Sequence, residues 1–217
     1  MASAEMRSQS SFEAKATLFN NRSFEKYASR FGYEGKEHEL ADNVILDIGS
    51  GSSSFSEGAQ KHGAKVVSLD FGYAKHPPVD IKNSVAALAQ ELPFADESFD
   101  EVISLWCVSP WIKTGVDETL REMMRVAKKG GTVRINTIRI PDPDDALYSV
   151  ENAEIASAFS FPQKGEVTIV LTKQPDFTDD QFEKMVEVAG RIISGKRKKA
   201  WKDKAKPKVI QKSPNLN

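Results

Sequence analysis

Apolar residues recur along this chain at two spacings. Phe24, Tyr27, Ala28 and Phe31 lie at the interval of one helix face, with a break and cap at Asn20 to Ser23 and a stop at Gly32. Phe12, Ala16 and Phe19 predict a shorter helix before it. Short apolar runs then alternate with amphipathic stretches. Strands are predicted over 44–48, 65–69, 85–89, 99–108 and 132–138, and helices over 55–62 and 114–127. Lys128-Lys129-Gly130-Gly131 is expected to end the second of these helices, with bases near its negative end and glycines free to turn. Such alternation suits a parallel sheet, because parallel neighbours need a crossover connection. The apolar runs 155–161 and 167–172 are separated only by Pro162-Gln163-Lys164-Gly165, a loop short enough to join antiparallel strands, and 177–193 offers a last helix. The expected architecture is doubly wound α/β: a mostly parallel, seven-stranded sheet with an antiparallel C-terminal hairpin and helices on both faces.

The length of 217 residues suits one domain with a tail, and hence one site. No apolar run reaches membrane-spanning length and no secretory signal pattern opens the chain, so a cytoplasmic protein without a transmembrane segment is expected. A single cysteine, Cys107, excludes an intramolecular disulfide and a cysteine-rich metal site. Its apolar surroundings predict a buried, inert thiol. The net charge of −1 conceals an asymmetry. Ten of the 30 Lys and Arg residues, but one of the 31 acids, fall within 191–217, leaving 20 bases and 30 acids in the first 190 residues.

The candidate chemistry sits in VILDIGSGSSSF, residues 44–55: a strand, an acid, two glycines in a tight turn and a helix start. Open α/β sheets receive nucleotide-like ligands through such a turn, at the carboxyl ends of their strands. Asp70 ends the next strand nineteen residues after Gly51, close to the spacing at which an acid meets a ribose hydroxyl pair. Asp47, beside the turn, would repel the pyrophosphate of a dinucleotide. The dinucleotide pattern's third glycine is also replaced, by Ser54. An acid there suits S-adenosylmethionine, which has no phosphate but carries an ammonium and a sulfonium.

With LDIGSG and VVSLD, the stretches ELPFADESFDEVIS (91–104) and LREMMRVAKKGGTVRI (120–135) make the chain resemble the class I S-adenosylmethionine-dependent methyltransferase superfamily, particularly its small metabolite-type members, over about residues 44–139. The resemblance implies that Gly49, Ser50 and Gly51 let the backbone approach the methionine part, with Asp47 near its ammonium. It implies that Asp70 takes the ribose hydroxyls, that Phe71 packs on adenine and that Ser104 lies near the methionine end. Ser53 replaces the family's third glycine, and Leu88 replaces the acid that often binds adenine's exocyclic amine. Gln90 is the candidate substitute.

The acceptor pocket of such a fold commonly follows the fourth strand, here LWCVSPWI (105–112). Trp106 and Trp111 there are candidates for stacking on a planar acceptor, with buried packing as the alternative, and Tyr27 is a candidate pocket residue. Methyl transfer does not require a dedicated base; His76, after the second strand, and His38, in the lead-in, are the candidates if one is used. Residues 1–40 are expected to form helices that either cover the site as a lid or pack on the sheet edge. Residues 41–194 are expected to form the methyltransferase domain. Residues 195–217, with GKRKKAWKDKAKPK, form a basic tail whose composition describes a disordered, solvated end. It equally suits phosphate contacts with stacking on Trp201, as in docking to RNA, or an anionic surface. The expected activity is methylation of a small or medium-sized organic acceptor. An RNA-directed methyltransferase and a non-catalytic cofactor-binding protein of the same fold are the alternatives.

Overall fold

A run such as VILDI, apolar at four positions in five, is stable as a strand when both faces are covered. The computed structural model describes residues 22–52, 54–76, 83–109, 115–138, 156–161 and 166–194. Its strands are β1 (Val44–Ile48), β2 (Lys65–Leu69), β3 (Ser84–Val85), β4 (Phe99–Leu105), β5 (Ala127–Ile138), β6 (Ala156–Phe161) and β7 (Glu166–Thr172). They form one seven-stranded sheet in the order β3-β2-β1-β4-β5-β7-β6, with β1 near its centre. The first five strands pair in parallel, and β7 runs antiparallel to both β5 and β6. This is the expected sheet with its antiparallel hairpin.

Among the described residues four α-helices cover the two faces: α1 (Phe24–Phe31), α2 (Phe55–Lys61), α3 (Val116–Val126) and α4 (Asp179–Ser194). Strand residues alternate between the faces. Ile45, Ile103 and Leu105 pack with Tyr27, Phe31 and Phe55 of α1 and α2. Leu46, Ile48, Val102, Val133 and Ile135 pack with Leu120, Met123 and Met124 of α3 and with Met185, Val186 and Ile193 of α4. Removing a fully buried leucine from such a core costs about 2–5 kcal/mol.

Helix α1 starts on Ser23, whose hydroxyl accepts from Lys26 N at 3.3 Å, and stops at Gly32, where φ is +81°. It is fastened to the far side of the sheet by Arg30, whose guanidinium forks onto the Glu166 carboxylate of β7, Nε to Oε2 and Nη2 to Oε1 at 3.3 Å. Both side chains are buried.

Several boundaries differ from the sequence expectation, each for a local reason. The third strand is Ser84–Val85, not 85–89. It lies at the sheet edge with β2 as its one neighbour, and residues 86–89 (Ala-Ala-Leu-Ala) lack the branched side chains that favour a pleated surface. Strand β4 ends at Leu105 because Trp106 takes φ +64°. Helix α3 opens after Gly115, at φ +89°.

Residues 128–131 are not a plain turn after α3. The chain enters β5 at once, with Ala127 opposite Phe99, and the register then jumps so that Glu101 faces Thr132. The intervening residues bulge outward, with Gly130 at φ +78°. Helix α4 starts two residues later than its apolar pattern, because Thr178 and Gln181 cap it reciprocally. Gln181 N donates to Thr178 Oγ1 at 3.3 Å, and Thr178 N donates to Gln181 Oε1 at 3.0 Å. The predicted helix around Phe12 to Phe19, the hairpin turn 162–165 and the tail 195–217 lie outside the described residues.

Candidate functional site

The site forms at the carboxyl ends of β1, β2 and β4, where the Gly49–Gly51 loop leaves β1. Gly49 has φ +70° and Gly51 φ +55°, in the left-handed region that side chains disfavour. The loop lies against β2, with Gly49 N and Ser50 N both donating to Leu69 O, at 2.7 and 3.1 Å. The Asp70 carboxylate ties two segments together, accepting from Gly51 N through Oδ2 at 3.0 Å and from Gly72 N through Oδ1 at 2.7 Å. One hydrogen bond on each oxygen leaves each a further acceptor site, which is what a vicinal diol requires.

Tyr73 is a site residue that sequence reasoning missed. Its hydroxyl donates to Gly51 O at 2.5 Å and lies 2.7 Å from Ser50 Oγ. The phenol has one proton, so the Ser50 hydroxyl donates to Tyr73. Burial pushes the Tyr73 phenol above its ordinary range. Arg22 was also missed. It is buried and donates from Nη1 to Gly49 O, fixing the other flank of the loop. The tyrosine three residues after Asp70 is the sequence signal that points to the first; no spacing rule points to the second.

Asp47 is fully buried on β1, and its Oδ1 accepts from Tyr27 OH at 3.2 Å. A carboxylate held away from water calls for polar or cationic company. Tyr27, expected at the acceptor pocket, is itself fully buried, with its ring stacked on Phe55 at 4.6 Å. It supports Asp47 and does not form an open wall. A Cβ on Gly51 would meet Arg22 Nη1 at 3.7 Å and Asp70 Oδ2 at 3.9 Å. The space over this loop is therefore flanked by a guanidinium and a carboxylate.

Beyond the loop, Phe71 (62% exposed) and Leu88 (48%) are large apolar side chains left in solvent at the carboxyl ends of neighbouring strands β2 and β3. Gln90 is half-buried and turned to the start of α3: a Cβ on Gly115 would come 2.8 Å from its Nε2. Ser104 is buried on β4, and its Oγ accepts from Val108 N at 3.4 Å, bracing the turn after that strand.

Trp106 begins that turn in a left-handed conformation, which costs a non-glycine residue about 1–2 kcal/mol and recurs at functional sites. Its backbone N–H donates to Asn136 O of β5 at 2.8 Å. Its half-buried ring is not bare. The Lys26 ammonium lies 4.1 Å from the ring centre, and the Arg22 guanidinium 5.9 Å from it. The indole N–H of Trp106 and the amide oxygen of Asn136 have no hydrogen-bond partner. Cys107 follows, half-buried, and burial pushes its thiol up to about 11. The expectation of an unreactive thiol agrees with that shift.

Trp111 and Ser53 lie outside the described residues. His76 is exposed just past the Phe71–Ala74 turn, its N–H bonded to Gly72 O at 2.9 Å. His38 is exposed in the Glu37–Leu40 turn before β1, at the opposite end of the sheet, with about 10 Å of strand between Val44 and Asp47 separating it from the site. A polar cavity of about 450 Å³ opens at that opposite end, lined by Tyr33, Asp100, Glu101, Lys129 and Arg134 among others, and does not include the loop. Among the described residues no cluster of metal-ligating side chains is present, and no helix is long and apolar enough to cross a membrane.

Residues 46–135 match the family described as Methyltransferase domain. The chain is 33% identical over 111 residues to the biotin biosynthesis bifunctional protein BioHC of Cellvibrio japonicus, covering 46% of this chain and 20% of that protein. It is 32% identical over 106 residues to a demethylmenaquinone methyltransferase of Thermobifida fusca, covering 42% of each. These matches span less than half the length of either relative. The fold is shared with the Burkholderia thailandensis 1,6-didemethyltoxoflavin-N1-methyltransferase, solved with 1,6-didemethyltoxoflavin and S-adenosylhomocysteine bound. That likeness has a TM-score of 0.54 and 16% identity, and covers 80% of this chain and 89% of the other.

Proposed function

We propose that this chain, whose residues 46–135 match the family described as Methyltransferase domain, binds S-adenosylmethionine across the ends of β1, β2 and β4 and methylates a small or medium-sized organic acceptor. The observation that carries this reading is the placement of two acids, Asp47 and Asp70, on either side of a loop whose glycines both have positive φ. A pyrophosphate would be repelled there. A ligand with an ammonium at one end and a ribose at the other is matched at both.

In this reading Asp47 faces the ammonium and Arg22 the carboxylate of the methionine part, with Ser50 and Ser104 bounding it. The unused lone pairs of Asp70 accept from the ribose hydroxyls. Phe71 and Leu88 enclose the adenine, and their burial contributes roughly 25 cal/mol per Å² of apolar surface removed from water. Gln90, two residues after Leu88, is the candidate for the exocyclic amine. The cofactor supplies an electrophilic methyl group, which the acceptor's nucleophile takes as the carbon–sulfur bond breaks and its electron pair stays on sulfur. The protein's contribution is alignment and exclusion of water. Residues 22–40, with Arg22 on the loop, cover one side of the site, and the catalytic domain is assigned to residues 41–194. If the acceptor needs a base, His76 is the better placed of the two histidines.

Calorimetry with S-adenosylmethionine tests this on the wild type, Asp70→Ala and Asp47→Ala. Micromolar binding is expected, weakened tenfold or more by each substitution, equivalent to about 1.4 kcal/mol. A folded wild type that does not bind overturns the proposal.

A further inference from the structure

The last carbonyls of a helix have no partner within it. In α1 one of them, Arg30 O, is supplied from the sheet: Thr168 Oγ1 of β7 donates to it at 2.9 Å. A hydroxyl has one proton, so the Thr168 oxygen can otherwise only accept, and it accepts from Asn136 Nδ2 of β5 at 2.9 Å. This relay fixes which way the Asn136 amide is turned. Its Oδ1 is left fully buried and without a hydrogen-bond partner.

Asn136 stands level with Leu105, the last residue of β4, and its carbonyl accepts from the Trp106 backbone N–H at 2.8 Å. The Trp106 indole N–H is a second buried polar group without a partner, a donor where Asn136 Oδ1 is an acceptor. Cys107 follows, its side chain against Gly49, so these strand ends adjoin the loop proposed to hold the methionine part. An unpaired buried donor or acceptor destabilises a fold, and native chains keep few of them. A neutral hydroxyl both donates and accepts, and so complements the two.

We infer that Asn136 selects the acceptor: its Oδ1 receives a hydrogen bond from a hydroxyl of the molecule to be methylated, with the Trp106 indole N–H as that hydroxyl's second partner. This rests on the function proposed above and specifies its substrate class, a hydroxylated compound. Neither atom touches solvent in this structure, so the hydroxyl reaches them by side-chain rotation at the half-buried Trp106, a change common on binding.

The test uses the intact chain saturated with S-adenosylhomocysteine. Three pairs differing in one hydroxyl proton are titrated by calorimetry: 2-naphthol and 2-methoxynaphthalene, 4-hydroxyacetophenone and 4-methoxyacetophenone, cyclohexanol and methoxycyclohexane. At least one hydroxyl compound is expected to bind tenfold or more tighter than its ether. Asn136→Leu is expected to abolish that preference, with S-adenosylhomocysteine affinity within twofold, and Asn136→Asp, which keeps an acceptor oxygen, to retain it. Thr168→Val, which frees the amide to turn, is expected to weaken it. Thermal unfolding separates recognition from a structural role: an oxygen kept for a ligand destabilises the free protein, so Asn136→Leu is expected to melt no lower than the wild type. Equal binding within every pair, no binding of any probe, or a lower melting temperature for Asn136→Leu overturns the inference and leaves the methyltransferase reading intact. So does a preference that survives Asn136→Leu, is unmoved by Thr168→Val or is lost in Asn136→Asp. Failure of S-adenosylhomocysteine to bind removes the methyltransferase reading itself, and this inference with it.

Discussion

Cys107 lies so close to Gly49 that a Cβ on the glycine would come within 2.2 Å of the cysteine Cβ. The loop therefore depends on Gly49 twice, for its positive φ and for the space its missing side chain leaves. Gly49→Ala is expected to lose about 1–2 kcal/mol to the left-handed conformation and about 1–3 more to overpacking. Adding Cys107→Gly relieves the second cost and not the first. A double-mutant cycle by urea denaturation should show a favourable coupling of the two substitutions; simple additivity would mean that the contact carries no energy.

Tyr73 holds the loop from below, through Gly51 O and Ser50 Oγ. Tyr73→Phe keeps the ring and leaves those two groups without this partner, at an expected cost of about 1–3 kcal/mol. Chemical denaturation measures the loss of stability, and calorimetry should show weaker binding of S-adenosylhomocysteine. An unchanged dissociation constant would show that the loop holds its shape without the phenol.

The Arg30–Glu166 pair is buried on both sides. Removing one partner strands a charge, so Arg30→Met is expected to cost about 3–5 kcal/mol. The double variant Arg30→Met, Glu166→Met removes both charges and should recover most of that loss. Thermal unfolding of the two proteins side by side decides it: equal melting temperatures would mean that the stranded carboxylate finds water.

At alkaline pH the Cys107 thiol is expected to govern part of the stability. Its folded value of about 11 lies above that of an unfolded thiol, so the fold holds the proton more tightly. Stability from this source is fully present below the unfolded value, about 8.5, and is lost as pH rises towards the folded one. The raised Tyr73 phenol contributes in the same direction. Denaturation midpoints should fall above about pH 9, less steeply in Cys107→Ala. Iodoacetamide should label the folded wild type slowly at pH 8 and quickly in urea.

The sequence reading reaches furthest where structure is local. Asp47, Gly49, Gly51 and Asp70 fall within a strand, a turn, a helix and the next strand, and periodicity with glycine placement suffices to order them. The end of β4 is less legible, because the left-handed Trp106 is imposed by its hydrogen bond to Asn136 and by packing, and a tryptophan has no preference for that conformation. The edge strand is shorter than its apolar run because one neighbour sustains only two residues of pairing. Tyr73, Arg22 and Lys26 reach the site through contacts formed by folding. Arg22 touches Gly49 from 27 residues away. For Trp106 the pattern gave no sign of its surroundings: the ring read as a candidate to stack on an acceptor has the Lys26 ammonium 4.1 Å from its centre.

The two carboxylate oxygens of Asp70 already clamp Gly51 and Gly72. Ordering backbone costs about 1–2 kcal/mol per residue, and here that cost is met when the chain folds, not when a ligand arrives. Capture should accordingly proceed in one kinetic step. In stopped flow the observed rate would rise in proportion to ligand concentration without reaching a plateau, as for diffusional encounter with a rigid receptor.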